Sequence, residues 1–272
     1  MGLMNNLKTI DMLENDSIKV EIVTHESLSG SKTGRGAKTI YYQEKAGIKL
    51  KNVKITLKGG SVAIEAGALY FMKGNIEVKS AVGKGFMKNL GTSLLSGEKL
   101  FKPEYTGTGE IWLEPSFGHY AIVELEDDEI IVDKGLFYAC QNTLEVSAVS
   151  QKNISSALFG GEGLFQTRIK GSGIAVLSIP VPQNELIIYK LEDDTLSVDG
   201  NFAILRKGKI DFTVKPISKG LGTMASGEGL VQTFKGTGEV WLAPTQIVYE
   251  LLDMGYPLSS ISGAGSSNTK TK

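Results

Sequence analysis

One cysteine, Cys140, is all that this chain of 272 residues has, so no disulfide can form within it and a small cross-linked scaffold is excluded. A chain without disulfides suits a reducing compartment, and a cytoplasmic location is expected. Histidine is almost as scarce. His25 and His119 stand far apart, with no second histidine or cysteine at ligand spacing, so they read as surface or turn histidines and no metal site is built from them. Long apolar runs are missing too: none approaches the roughly 18 residues that a membrane helix needs. The first twenty residues mix Asn5, Lys8, Asp11, Glu14 and Asp16 among apolar ones, unlike a signal or transit sequence. Neither a transmembrane segment nor a targeting leader is expected. Nor does either charge prevail: 29 basic residues against 30 acidic ones leave a net charge of −1, which offers no field to hold a polyanion, so nucleic acid is disfavoured as a partner.

Proline numbers only 7, and the turns fall to glycine, at 33 residues. Many short strands joined by glycine turns have this composition. The arrangement is repetitive. A cassette running from Ser96-Gly97-Glu98 to Gly107-Thr108-Gly109 and on through Ile111-Trp112-Leu113 to Pro115 returns from Gly160 to Pro180 and from Ser226 to Pro244. Its Gly-Glu pairs begin at Gly97, Gly161 and Gly227, and Leu125-Glu126-Asp127-Asp128 returns as Leu191-Glu192-Asp193-Asp194. A period of about 65 residues means one supersecondary unit used three times. The length alone would suit roughly two domains, but three linked units fit better as one body with a shared core. We expect an N-terminal extension over residues 1–17 and a three-repeat β domain over 18–258, with repeats at about 18–117, 118–182 and 183–258. A polar tail of little apolar content follows at 259–272.

Within each repeat the pattern is that of strands. Short apolar runs such as Ile130-Ile131-Val132 and Leu196-Ser197-Val198 end near Gly135 and Gly200, and alternating strands follow at Asn75–Lys79, Thr143–Ser147 and Lys209–Thr213. Helical spacing occurs next, in Phe86/Leu90/Leu94, Ile154/Leu158 and Ile217/Leu221/Met224, enough for one or two turns. The pairs Gly107/Gly109, Gly171/Gly173 and Gly236/Gly238 lie inside strand-like sequence, where glycine marks a bulge, a bend or a close backbone approach. Residues after them are apolar on both faces, so these strands should be covered on both sides, by three units packed with approximate three-fold symmetry or by a subunit interface that holds Trp112 and Trp241.

The cassette Gly-Glu-x-Leu followed by Gly-x-Gly-x-x-x-Leu, in three copies over about residues 18 to 255, resembles the family named for altered inheritance of mitochondria (number twenty-four). The resemblance implies a fold similar to that of the trp RNA-binding attenuation protein, related to the double-stranded β-helix. It implies no reaction. Mitochondrial members of the family are linked to inner-membrane organisation, and no catalytic residues come with it. This chain departs from the cassette at Lys99, where the other copies have Gly163 and Gly229, and at Val176, where they have Trp112 and Trp241.

Few residues carry chemistry. The Gly-x-Gly elements run into a strand rather than a helix, so they are not a dinucleotide fingerprint, and Cys140 lies in an apolar run as a buried, inert thiol. Glu98, Glu162 and Glu228 recur at one repeat position; the favoured reading is a carboxylate accepting backbone N–H bonds at each turn, the alternative a cluster binding a cation or small molecule. From Lys32 to Lys58 a basic stretch includes Tyr41 and Tyr42, and alternation of Lys49, Lys51, Lys54 and Lys58 with apolar residues reads as a solvated strand face or a lysine-guarded edge. The expectation is a non-enzymatic assembly or interaction module with no catalytic residues and no cofactor, forming a homo-oligomer or binding a protein partner. RNA binding by analogy with the attenuation protein is the alternative.

Overall fold

The computed structural model describes residues 6–79, 102–150, 165–199, 201–216 and 230–257. The helical turns expected near Phe86, Ile154 and Ile217 lie outside the described residues, as do Glu98, Glu162 and Glu228. In chain order the elements are β1 (Leu7–Glu14), β2 (Ile18–His25), α1 (Gly34–Lys45), β3 (Lys51–Ile64), β4 (Leu69–Lys79), β5 (Glu104–Leu113), β6 (His119–Asp133), β7 (Phe137–Gln141), β8 (Leu144–Ser150) and β9 (Phe165–Ile179). After them come β10 (Ile187–Asp199), β11 (Ala203–Pro216), β12 (Leu230–Leu242) and α2 (Gln246–Asp253). The fold is mainly β, and its strands pair antiparallel among the described residues.

Two compact units divide the described residues: 6–129, 134–150 and 165–179 form the first, and 130–133, 180–199, 201–216 and 230–257 the second. In the first, apolar residues pair across strands: Ile18 faces Leu57, Val20 faces Ile55 and Ile22 faces Val53, all fully or nearly buried. Such cross-strand pairs are the unit of sheet stability. β3 continues the core by pairing with β5 and, at its end, with β7, so Ile55, Leu57, Ile64, Ile111, Leu113, Ala139 and Val176 share one cluster. Residues Leu7–Glu14 also join this sheet, as β1 on the outer side of β2. A polar knot closes the turn between β1 and β2. The Asn15 side chain accepts from the Ser17 and Ile18 amides and donates to Gln141 Oε1 at 2.9 Å, while Gln141 Nε2 donates to Ser17 Oγ at 2.8 Å. In the second unit β12 lies between β10 and β11, and a smaller core gathers Leu191, Val198, Ala203, Phe234, Val240 and Leu242.

One pairing plan recurs. β5 pairs with both β3 and β4, β9 with β6 and with the broken strand β7–β8, and β12 with both β10 and β11. Each of these closing strands carries a Gly-x-Gly, and the reason is close approach: a Cβ on Gly107 would lie 2.1 Å from the Asn75 carbonyl oxygen, and one on Gly109 2.2 Å from that of Lys73. Both glycines have positive φ, 142° and 155°, and Gly236 and Gly238 repeat the geometry. The middle residue has its own task. Ser172 Oγ accepts the Asp127 amide at 2.8 Å and Thr237 Oγ1 accepts the Asp193 amide at 3.1 Å. Asp127 and Asp193 are the two described non-glycine residues with positive φ, 49° and 53°, and Gly59, with φ 80°, holds the same place in the first repeat. The recurring Leu-Glu-Asp-Asp is thus the signature of a bulge, where the register of β10 on β12 slips between Leu191 and Asp194.

Two features differ from expectation. The basic stretch is not one strand: its first half is α1, capped by Thr33 Oγ1, which accepts the Gly36 amide at 3.1 Å. Its second half is β3, which is no edge, because β5 flanks it along one side and β2, followed by β7 at its end, along the other. α1 escaped notice because it buries no side chain and so has no apolar stripe for a periodicity to reveal.

Candidate interaction surface

The closing strands hold the two tryptophans in different surroundings. Trp112 on β5 is 6% exposed, between Lys54 of β3 and Phe71 of β4. Phe71 stacks on it with ring centroids 5.5 Å apart and planes 17° from parallel, and Lys54 Nζ lies 5.6 Å from its ring. The same ammonium reaches Glu110 at 2.9 Å and Glu21 at 3.7 Å, and its hydrogen bond holds the Glu110 carboxyl below the usual carboxylate range. Trp241 on β12 is half-buried between Ile188 and Leu205, and its indole N–H donates to Glu239 at 3.4 Å. In the second repeat Val176 fills the place beside Ala139 and is buried.

Beside each tryptophan lies apolar surface. On β4, in the first unit, Tyr70, Phe71 and Met72 are 54%, 47% and 42% exposed. On β10, in the second unit, Ile187, Ile188 and Tyr189 are each 45% exposed. Exposure of single apolar residues is ordinary; three in succession on a strand is a docking or aggregation signal. Repeat alignment sharpens this, because Phe71 and Met72 occupy the places of Ala139 and Cys140 in the second repeat and of Leu205 and Arg206 in the third, and those four are between 1% and 6% exposed.

The basic residues of β3 are occupied. Lys58 pairs with Glu14, Lys51 Nζ donates to the Gly118 carbonyl at 3.0 Å, and Lys54 is held as above. On α1, Lys38 and Lys45 lie over the exposed rings of Tyr42 and Tyr41. His25 lines a shallow depression of about 10 Å³ with Ile40, Glu44, Ile48 and Phe117, room for about one water molecule. Cys140 is buried, and burial pushes its thiol up to about 12. Among the described residues no group of three or more His, Cys, Asp or Glu side chains is placed to hold a metal ion, and no helix is long and apolar enough to cross a membrane.

Residues 42–245 match the sequence model of the mitochondrial biogenesis family AIM24. The chain belongs to the AIM24 family. An uncharacterized protein of Streptococcus pyogenes serotype M6 is 26% identical over 201 residues, spanning 70% of this AIM24-family chain and 79% of that protein. A crystal structure of another Streptococcus pyogenes protein superposes with a TM-score of 0.56 at 21% identity, covering 76% of this chain and 94% of that one. That likeness extends the mainly β fold to a bacterial relative. The open strands β4 and β10 were not foreseen as a surface; the signal in the sequence was slight, Phe71-Met72 standing where the other copies have Ala139-Cys140 and Leu205-Arg206.

Proposed function

We propose that this AIM24-family chain is a non-enzymatic assembly or interaction module that binds through strand edges and the apolar residues beside them. The observation that carries this is the half-exposed Tyr70-Phe71-Met72 run of β4, in which Phe71 and Met72 stand at positions that the other two repeats bury. Trp112 and Trp241 belong to this reading as the layer beneath the binding surface, with Phe71 stacked on the first and Ile188 paired with the second. Aromatic residues of this kind are frequent interface anchors. The reading includes three copies of one strand plan with approximate three-fold symmetry, supported by the recurrent pairing of each Gly-x-Gly strand, and an attenuation-protein-like relationship supported by sequence resemblance. A cytoplasmic location rests on cysteine usage alone.

Native mass spectrometry of the protein purified from its own host tests the proposal. The expected result is a homo-oligomer or a stoichiometric complex with a protein partner. A single chain that carries a stoichiometric metal ion or small molecule would instead favour the recurrent Glu98, Glu162 and Glu228 as a binding site, and co-purified RNA retained at moderate salt would favour the attenuation-protein analogy.

A further inference from the structure

Strand ends join in a fixed register where one repeat meets the next. At the end of β3, Val62, Ala63 and Ile64 face Gln141, Cys140 and Ala139 of β7, and at the end of β6, Ile130, Ile131 and Val132 face Lys207, Arg206 and Leu205 of β11. These are the same repeat positions in both junctions. Carried to the third repeat, the offset sets Leu196, Ser197 and Val198 of β10 against Lys73, Met72 and Phe71 of a β4 strand. Among the described residues, however, β4 hydrogen-bonds only to β5 and β10 only to β12. Both edges stand open, with Phe71 and Met72 about half exposed.

We infer that the open edge of β4 receives the end of β10 from a second copy of this chain, antiparallel and in the register Phe71–Val198, Met72–Ser197 and Lys73–Leu196. This rests on the interaction-module reading and names its partner. Charge agrees with the pairing: β10 carries four acidic residues and one lysine, while β4 carries two lysines and one acid. Unpaired backbone edges are templates for another strand, and each copy has one edge of each kind. Two copies that exchange both edges close as a two-fold pair, whereas a one-way pairing would run on into a filament.

The test mixes two proteins with one introduced cysteine each, Met72→Cys and Ser197→Cys, under mild oxidation. Cys140 is silent in this assay because it is buried. The expected product is a disulfide-linked dimer containing one of each variant, with far less of either homodimer. Sedimentation should give the parent protein a mass twice the 29.2 kDa of one chain, and Met72→Lys should weaken association at least tenfold while the thermal melt stays cooperative. Should Met72→Lys not fold, Ser197→Lys on the opposite edge replaces it. A monomeric parent with no mixed disulfide, or a double variant that cross-links only within one chain, overturns the inference. If that monomer still binds a different protein and Met72→Lys abolishes the binding, the second-copy inference falls and the interaction-module reading stands; with no partner at all, both fall.

Discussion

Replacing Gly107 with alanine should unfold the first compact unit far more readily than replacing Gly67, although both glycines have positive φ, 142° and 85°. At Gly67 a new Cβ meets nothing within 4 Å, so only backbone strain counts, about 1–2 kcal/mol. Gly107 adds a collision. The Cβ would lie 2.1 Å from the Asn75 oxygen and 3.1 Å from its carbon, both backbone atoms that cannot rotate away. β4 must withdraw, and losing one or two ladder hydrogen bonds at roughly 1 kcal/mol each brings the total to about 2–4 kcal/mol. Gly171→Ala, with its nearest oxygen at 2.9 Å, should fall between them. Urea unfolding followed by Trp112 fluorescence, in a Trp241→Phe background, reads the first unit alone. The expected difference of about 1–2 kcal/mol between Gly107→Ala and Gly67→Ala corresponds to about 2–8 °C in melting midpoint for a unit of this size. Equal losses for the two variants would refute close approach as the reason for the Gly-x-Gly.

At the bulge glycine should be tolerated: Asp193→Gly should change stability by less than about 0.5 kcal/mol, as Gly59 already holds that place, while Asp193→Val should cost about 1–2 kcal/mol, both measured by chemical denaturation. Gln141→Ala removes the partner of Asn15, Ser17 and the Ile174 amide, and a loss of about 2–3 kcal/mol is expected in the same assay. In alkali the sign follows from proton binding: burial raises the Cys140 thiol from 9.0 to about 12 and raises the Tyr138 hydroxyl as well, so above pH 9.0 the folded chain holds protons that the unfolded chain has released. Stability should therefore be intact below pH 9.0 and fall as pH rises above it, less steeply in Cys140→Ala; a flat denaturation midpoint across that range would contradict the burial.

Much of the fold was legible because a repeat checks itself. The glycine pairs announced close approach, and Ile111-Trp112-Leu113 and Ala175-Val176-Leu177 read as strands covered on both faces, which their burial bears out. Trp241 was not so readable, since half-burial depends on the neighbours Ile188 and Leu205 and not on its own strand. α1 was missed for a physical reason: it buries no side chain and has few apolar residues to repeat, whereas α2 shows a short helical period in Ile247, Val248, Leu251 and Leu252 that was overlooked. The lysines of β3 misled in another way. Alternation with apolar residues suggested open solvent, whereas Glu14, Glu21 and Glu110 arrive from separate strands to meet them, a pairing that no local pattern encodes.

Those lysines also act in time. Lys54 of β3 lies opposite Trp112 of β5, so β3 must wait for 58 further residues, the interval between these paired positions, before that neighbour exists. At a synthesis rate of roughly 5–20 residues per second the wait is about 3–12 s. Throughout it Val53, Ile55 and Leu57 form an apolar strand with one side unsatisfied, on a chain that shares its surroundings with other nascent chains. Lys51, Lys54 and Lys58 interrupt that run at regular intervals, and while Glu110 has not yet been made, Lys54 lacks that neutralising partner. Like charges on neighbouring nascent strands repel, so these residues guard the growing sheet before they stabilise the finished one.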